Sequence, residues 1–533
     1  MITISKKTDA CKKTIEMIDQ INVKGKKTLT YTGRLKCFSI ALIAFVLLFQ
    51  ARSSFAQEIS IDDPSRFMDW KNAGADTSVR SQFKKTYQAV RYGIRPGKTN
   101  DNATLLRNLL IKAKPYSIIQ FPEGEFQFNS SVDVPSNIII RGAGVNKTKF
   151  NFKTLKLGQR GVFNMASYER LHPTDVTKPV QIGDNEIHVK DISGYAKGDI
   201  IELFMENDSA LMYTQARWKT SWGSNARGQI LEIDQVNTAN SSIKVNETIR
   251  LAYPLNMNPR VHKQEGTKHI GFEDFTIENY IEEDMIMFYF RESRHCWIDN
   301  VKSINVVKHH VLWEASSRCS VLNSCLTGAL RYDGGGHGYG VAASNHTSDC
   351  LVENCSFIGL RHALMTKKGA NGNVFLYNYC DEGIWDRSNT GRPPATLSIH
   401  GHFSFMNLFE GNIVERITSG DFWGPSGPGT TFNRNIVLTD DLEIRDASVQ
   451  QNLIGNLVLE GKIKVSKEAQ GTLRSGNIVS DLADATKVVT PSSFVYSKSP
   501  DYFGPYNWPI TSNYTVGSIA LPAQQRYIQE FKP

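Results

Sequence analysis

The feature that most limits the fold of this chain is an asparagine that returns about once every two dozen residues through its second half. It stands at Asn300, Asn323, Asn354, Asn378, Asn412, Asn435, Asn456 and Asn477, at intervals of 23, 31, 24, 34, 23, 21 and 21 residues. Apolar residues flank most of these positions, as in GNIV at 411–414, RNIV at 434–437 and GNLV at 455–458. A period of this size marks stacked repeats, each coil burying its apolar side against the next. Short β-type runs with no helical periodicity between them select a β-solenoid over helical repeats. At a tight bend asparagine tolerates left-handed backbone angles and bonds neighbouring backbone groups. In stacked coils equivalent amides lie about 4.8 Å apart, close enough to bond one another along the axis. The expected fold is all-β, a right-handed parallel β-helix with these asparagines in one file.

The cysteines follow the same register. Cys296, Cys319 and Cys350 each fall four residues before an asparagine of the series, and Cys325, Cys355 and Cys380 one or two after it. Stacking suits them either to disulfides or to small, buried core positions; no CxxC spacing indicates zinc. Two intervals are long. One contains Arg331 to Gly340 (RYDGGGHGYG), the other Asp381 to His402 with Trp385, Arg387 and Arg392. A coil needs only about 22 residues, so the surplus leaves the stack as loops, where function usually sits.

Charge excludes little once the N-terminus is set apart. The formal net charge of +8 comes mainly from residues 1–56, which hold ten Lys or Arg against three Asp or Glu. The remainder has 51 basic and 50 acidic residues, so its global charge does not indicate nucleic acid as a partner. Phe38 to Phe49 is an apolar run of 12 residues, short for a membrane span, with Arg34 and Lys36 before it and Ser54-Phe55-Ala56 as a small-x-small cleavage site after it. Residues 1–56 therefore read as a signal peptide for a secreted or periplasmic protein without stable membrane insertion after cleavage.

Upstream of the asparagines, DNATLLRNLLIKA at 101–113 has the pattern of an amphipathic helix with Asn100 or Asp101 as N-cap, suited to closing the end of a solenoid. IIQFPEGEFQF and IIIRGAGVNKTKF follow as strands broken by turns. This run resembles the N-terminal signature of the pectate-lyase-like β-helix superfamily, which includes polysaccharide lyases, glycosidases and phage tailspikes. The expected organisation is a signal peptide (1–56), an N-terminal helical cap with the first coils (57–150), a small β-rich insertion (151–267), the main β-helix (268–485) and a C-terminal cap or tail (486–533).

The resemblance implies that active sites lie on the first strand of each coil, after the variable loop. In that register His310, Tyr339, His362 and His400 share one flank, with both long loops opening beside them. A lyase acting on uronic acid polymers needs a group to neutralise the carboxylate, a base for the C5 proton and an acid for the leaving oxygen. The expected assignments are Arg361 or Lys367 as neutraliser, and His337 or His362 as base. Tyr339 serves as acid or as base and acid together, and His400 in support. Arg331, Trp385, Arg387 and Arg392 are expected to bind substrate through stacking and ion pairs. The same residues also suit structural roles: His337 and Tyr339 in a glycine-rich turn, His362 and His400 as bonded solenoid positions, Lys367 and Lys368 in a solvated turn. Their gathering on one flank favours the site. Asp333, Asp381, Glu382, Asp386 and Asp421 are available for calcium, but no spacing marks a cation loop, and no cofactor is expected.

The leading function is β-elimination of an acidic polysaccharide, with a glycosaminoglycan of the chondroitin sulfate type ahead of pectate and alginate. A glycosidase on the same scaffold and a non-catalytic glycan-binding protein are the alternatives. Oligomeric state is open.

Overall fold

The computed structural model describes residues 63–97, 101–156, 160–384, 394–480, 482–483 and 491–531. The signal segment and Trp385, Arg387 and Arg392 lie outside the described residues.

The chain is a parallel β-helix. Each coil contributes one strand to a ten-stranded parallel sheet and, in most coils, two short strands to a long bent sheet. Tyr339–Ser344, Leu351–Glu353 and Ser356–Ile358 make one coil. Their partners one coil later begin at His362, Val374 and Tyr379, each 23 residues on. A constant offset stacks like on like, so the interior is built of columns. Val311, Val341, Leu364, Leu397, Ile417 and Leu442 form one column. Phe375, Phe409 and Phe432 form another, with ring centroids 4.7 and 5.5 Å apart. Each fully buried side chain of this size contributes about 1.5–3 kcal/mol by leaving water.

The asparagines form two adjacent files rather than the single one expected. Asn378, Asn412, Asn435, Asn456 and Asn477 point inward, fully buried. Each amide donates to the next across the coils at 2.9–3.0 Å. By register this file continues into Cys355 and Ser324. There a thiol accepts the Ser324 N–H at 3.4 Å, and a hydroxyl accepts the Val301 N–H at 3.1 Å. Asn300, Asn323 and Asn354 stand one residue earlier, all with φ near +50°, in register with Tyr377, Gly411, Arg434, Gly455 and Gly476. The two asparagine roles, left-handed bend and internal ladder, thus fall at neighbouring positions. The 24-residue interval from Asn354 to Asn378 is a 23-residue coil plus this one-residue step. A second ladder pairs Asn373 with Asn407 at 2.9 Å. All six described cysteines are buried and unpaired.

Helix α1 (Ala103–Lys112) buries Ala103, Leu106, Leu109 and Leu110 against the first coils. The Asp101 carboxylate accepts the Ala103 N–H at 3.0 Å. The solenoid runs beyond residue 150: Thr148–Lys156 and Gly161–Ala166 pair with Gly271–Asn279 and Ile286–Arg291 as ordinary rungs. The inserted element is a six-stranded antiparallel sheet, from Arg170–Asp175 to Arg260–Gln264. Residues 491–531 lie against the outer face of the long sheet, where Tyr496 and Tyr502 each donate to Glu353 at 2.6 Å.

Candidate active-site cleft

A strand presents alternate residues to its two faces, and the outer face of the ten-stranded sheet carries the candidate chemistry. Near the start of several strands the alternation breaks: Met287 and Phe288 both enter the core, as do Ala363 and Leu364. The break throws His309, Tyr339 and His362 outward as an edge-to-face column, with centroids 4.9 and 5.0 Å apart. A second outer column holds Glu314, Ser344, Lys367 and His400. Ser398, Thr418, Glu443 and Lys464 stack as a row of their own across later coils.

Over these columns, from Tyr339 onward, lies a cleft of about 1150 Å³. It crosses the coils from Tyr339–Ser344 to Ile463–Val465. Five steps of about 4.8 Å give a length of about 24 Å, enough for several sugar rings. Trp222, Phe422 and Trp423 line it as an aromatic wall, with Trp423 centroids 5.5 Å from Trp222 and 5.0 Å from Phe422. Trp222 belongs to the insertion, and two imidazoles of the solenoid staple its loop. His346 Nε2 bonds the Asn225 carbonyl and His402 Nε2 the Trp218 carbonyl, both at 2.6 Å.

Five of the six expected catalytic residues line the cleft: Tyr339, Arg361, His362, Lys367 and His400. Burial, helped by Arg361, pulls the His362 pKa down to about 3. Its Nδ1–H donates to the Ala395 carbonyl at 2.6 Å, which leaves a neutral ring with a lone pair on Nε2. Burial holds the Tyr339 hydroxyl above the usual phenol range despite Arg361, so it keeps its proton at neutral pH. Arg361 donates to this hydroxyl at 3.3 Å and to the Asp333 carbonyl at 3.2 Å. Burial lowers the Lys367 pKa, offset in part by Glu314 two coils away. The Lys367 ammonium has no ion pair among the described residues.

His400 bonds Asp421 through Nδ1. Asp421 also accepts the Gly401 and Trp423 N–H groups at 3.1 and 3.0 Å. Burial raises its pKa, but His400 and these donors outweigh that and hold it below the ordinary value. Asp446 in the same cleft is shifted up, burial exceeding the pull of Arg445 and Arg217. Arg416 pairs with Glu443 at 2.9 Å.

Three expected residues stand elsewhere. His337 is buried behind the glycine loop, its nitrogens 2.9 Å from Asp284 and 3.0 Å from Asp333. Its Nε2 hydrogen-bonds Asp284, and the ring is not part of the cleft lining. Arg331 is paired with the same two carboxylates, at 3.4 and 3.0 Å, outside the cleft lining. His310 faces inward, bonded to Ser303 at 2.7 Å and to the Gly328 carbonyl at 3.1 Å. Among the described residues no group of three or more His, Cys, Asp or Glu is arranged to hold a metal ion.

Asp421 lies on the flank that the register marks, where the sequence suggests it only as a calcium ligand. Trp222 comes from a remote insertion that no sequence periodicity ties to the cleft. Arg416, Ser398 and Thr418 follow from the same column logic as Lys367, one to two coils further on.

No family model matches the chain, and no curated protein matches it. Solved structures resemble it in fold. The tailspike gp49 from Pseudomonas phage LKA1 is 13% identical with a TM-score of 0.49, over 72% of this chain and 64% of that one. The Pseudomonas phage phi297 tailspike gp61 is 13% identical with a TM-score of 0.48, over 74% and 65%. PfbA, a surface adhesin of Streptococcus pneumoniae, is 11% identical with a TM-score of 0.43, over 74% and 85%. The match thus spans less than two thirds of either tailspike.

Proposed function

We propose that this protein is a polysaccharide lyase that cleaves uronic-acid-containing chains by β-elimination in the cleft. The observation that carries the reading is the pairing, on adjacent coils, of a neutral imidazole (His362) with a protonated phenol (Tyr339), their ring centroids 5.0 Å apart. His362 Nε2 removes the C5 proton. The C5–H electrons form the C4=C5 double bond as the C4–O4 bond breaks, and the Tyr339 hydroxyl protonates the departing O4. The His362 proton then returns to Tyr339 through solvent. Lys367 faces the uronate carboxylate and lowers the cost of charge at C5, because Arg361 is already committed to Tyr339 and Asp333. His400, oriented by Asp421, and the aromatic wall hold the sugar rings.

Lys367, a cation of the cleft without an ion pair among the described residues, favours an acidic substrate, and glycosaminoglycans of the chondroitin sulfate type stand ahead of pectate and alginate. Export through residues 1–56 would bring the enzyme to such polymers in the periplasm or medium. The test is incubation with a panel of acidic polysaccharides, following the ultraviolet absorbance of the conjugated unsaturated uronate. Tyr339→Phe and His362→Gln should each abolish that signal, a loss of about 10²–10⁴ in kcat. Normal turnover in either variant refutes the assignment.

A hydrolytic reading has one specific observation in its favour: Asp421 and Asp446, in one cleft, have pKa values displaced in opposite directions, as an acid and a base carboxylate require. New reducing ends without the absorbance would select it.

A further inference from the structure

Beside the cleft, where the insertion meets the sheet, lies a separate pocket of about 260 Å³, lined by Arg170, Glu202, Phe204, Arg291, His346 and Lys368 among others. It adjoins the cleft at two consecutive residues. Lys367 extends from its strand into the cleft, and Lys368, with a φ of +47°, turns into the pocket.

The charges of this pocket do not cancel. Its one lining carboxylate, Glu202, is engaged by His346 Nδ1 at 2.6 Å and His262 Nε2 at 2.8 Å. His346 Nε2 meets the Asn225 carbonyl, which only accepts. Both Glu202 oxygens are thus occupied by imidazoles, which leaves neither to pair with Arg170 or Lys368. Arg291 shares Glu314 with Arg160, at 3.3 and 3.2 Å. Arg291 also lies 3.7 Å from Glu292. Arg170 and Lys368 have no carboxylate oxygen within ion-pair distance among the described residues, although Glu292 acts on Arg170, and Glu314 and Glu202 on Lys368, at longer range. Burial disfavours the Lys368 ammonium, so an arriving anion would restore a charge state that the protein alone penalises.

Resting on the cleavage reading, we propose that this pocket is an oxyanion subsite, taking a carboxylate or sulfate substituent of a sugar outside the bond that is cut. Two converging cations give charge-assisted bonds to such a group. The Lys367–Lys368 step links recognition of that substituent to the neutraliser of the reacting uronate.

The test is calorimetric titration of the exported chain with sodium sulfate and, separately, sodium acetate. Arg170→Ala and Lys368→Asn (asparagine accepts the positive φ) serve as probes, with Tyr339→Phe as control. Saturable binding of one anion is expected. It should weaken at least tenfold in the double variant and stay unchanged in Tyr339→Phe. Preference for sulfate assigns a sulfate ester, and preference for acetate a uronate. Absence of saturable binding, or equal affinity in the double variant, overturns the subsite. If the double variant fails to fold, Arg170→Ala alone, at an exposed strand position, decides it. Anion binding that behaves as stated, in a protein that cleaves no uronic polymer, would sink the lyase reading and leave the subsite standing.

Discussion

Replacing Asn412 by alanine tests whether the two asparagine files differ in kind. The Asn412 amide donates to the Phe375 carbonyl and to Asn435, both at 2.9 Å. Its oxygen accepts the Asn378 N–H at 3.1 Å and the Asn378 amide at 2.9 Å. All these groups sit in the dry interior, so alanine leaves at least two buried polar groups short of a partner, at about 1–3 kcal/mol each. With a contribution from the vacated volume, the loss is about 5 kcal/mol. Unfolding entropy of about 2.1 cal/mol/K per residue, summed over the unit from Ile59 to Pro533, is about 1 kcal/mol/K. Asn412→Ala should therefore lower the Tm by about 5 °C in a cooperative transition. Asn323→Gly is the counterpart. Asn323 is half-exposed, its side-chain bonds to Asp299 and Asn354 can be replaced by water, and glycine accepts its φ of +49°. Its cost should be about 1 kcal/mol or less, or about 1 °C. Scanning calorimetry of the two variants beside wild type measures both, and equal losses would refute the distinction between ladder and bend.

His337→Gln should reduce kcat less than tenfold while lowering the Tm by a few degrees, because the ring clamps Asp284 and Asp333 rather than substrate; a kcat loss of a thousandfold in a folded variant would restore it as the base. Burial depresses the His310 pKa to about 3, against about 6.5 when unfolded. Between those values the unfolded state binds more protons, so stability falls as pH falls, by about 2 kcal/mol from this group between pH 7 and pH 5. Denaturant midpoints at the two pH values should converge by about that amount in His310→Gln, and an unchanged gap contradicts the assignment. Trp222→Ala should raise KM about fivefold with kcat nearly constant, as stacking worth about 1 kcal/mol is lost; a fall in kcat alone would place Trp222 in the chemistry.

The solenoid was legible because its repeat is one-dimensional: a near-constant offset is visible in the chain itself and sets which residues become neighbours. The offset, with the strand register that the family resemblance implies, puts His310, Tyr339, His362 and His400 on one flank; the structure keeps the last three there and turns His310 inward to Ser303 and the Gly328 carbonyl. The one-residue step between the files escaped notice because asparagine serves both at the left-handed bend and in the internal ladder, so Asn354 and Asn378 looked equivalent. His337 misled for a related reason. Its glycine setting suits a loop that exposes a base, and only the approach of Asp284, 53 residues earlier, shows a ring held by carboxylates. Trp222 depends on how an antiparallel sheet docks against the coils, a contact with no period to announce it. The expected boundary at 150 failed because Thr148–Lys156 continues the bent sheet, in register from Gly124 to Phe128 and shifted only at Ser130.

The stapled tryptophan loop also separates the gene into parts with different burdens. The candidate flank is spelled out by the coils after Ile286, whereas Trp222 of the aromatic wall arrives in a cassette entering after Ala166 and rejoining the stack before Gly271. Recombination within that cassette can recut one side of the cleft while Tyr339, His362, Lys367 and His400 stay in place. The two sides of the cleft can then diverge independently, with His346 and His402 as the two sockets any replacement module must fit.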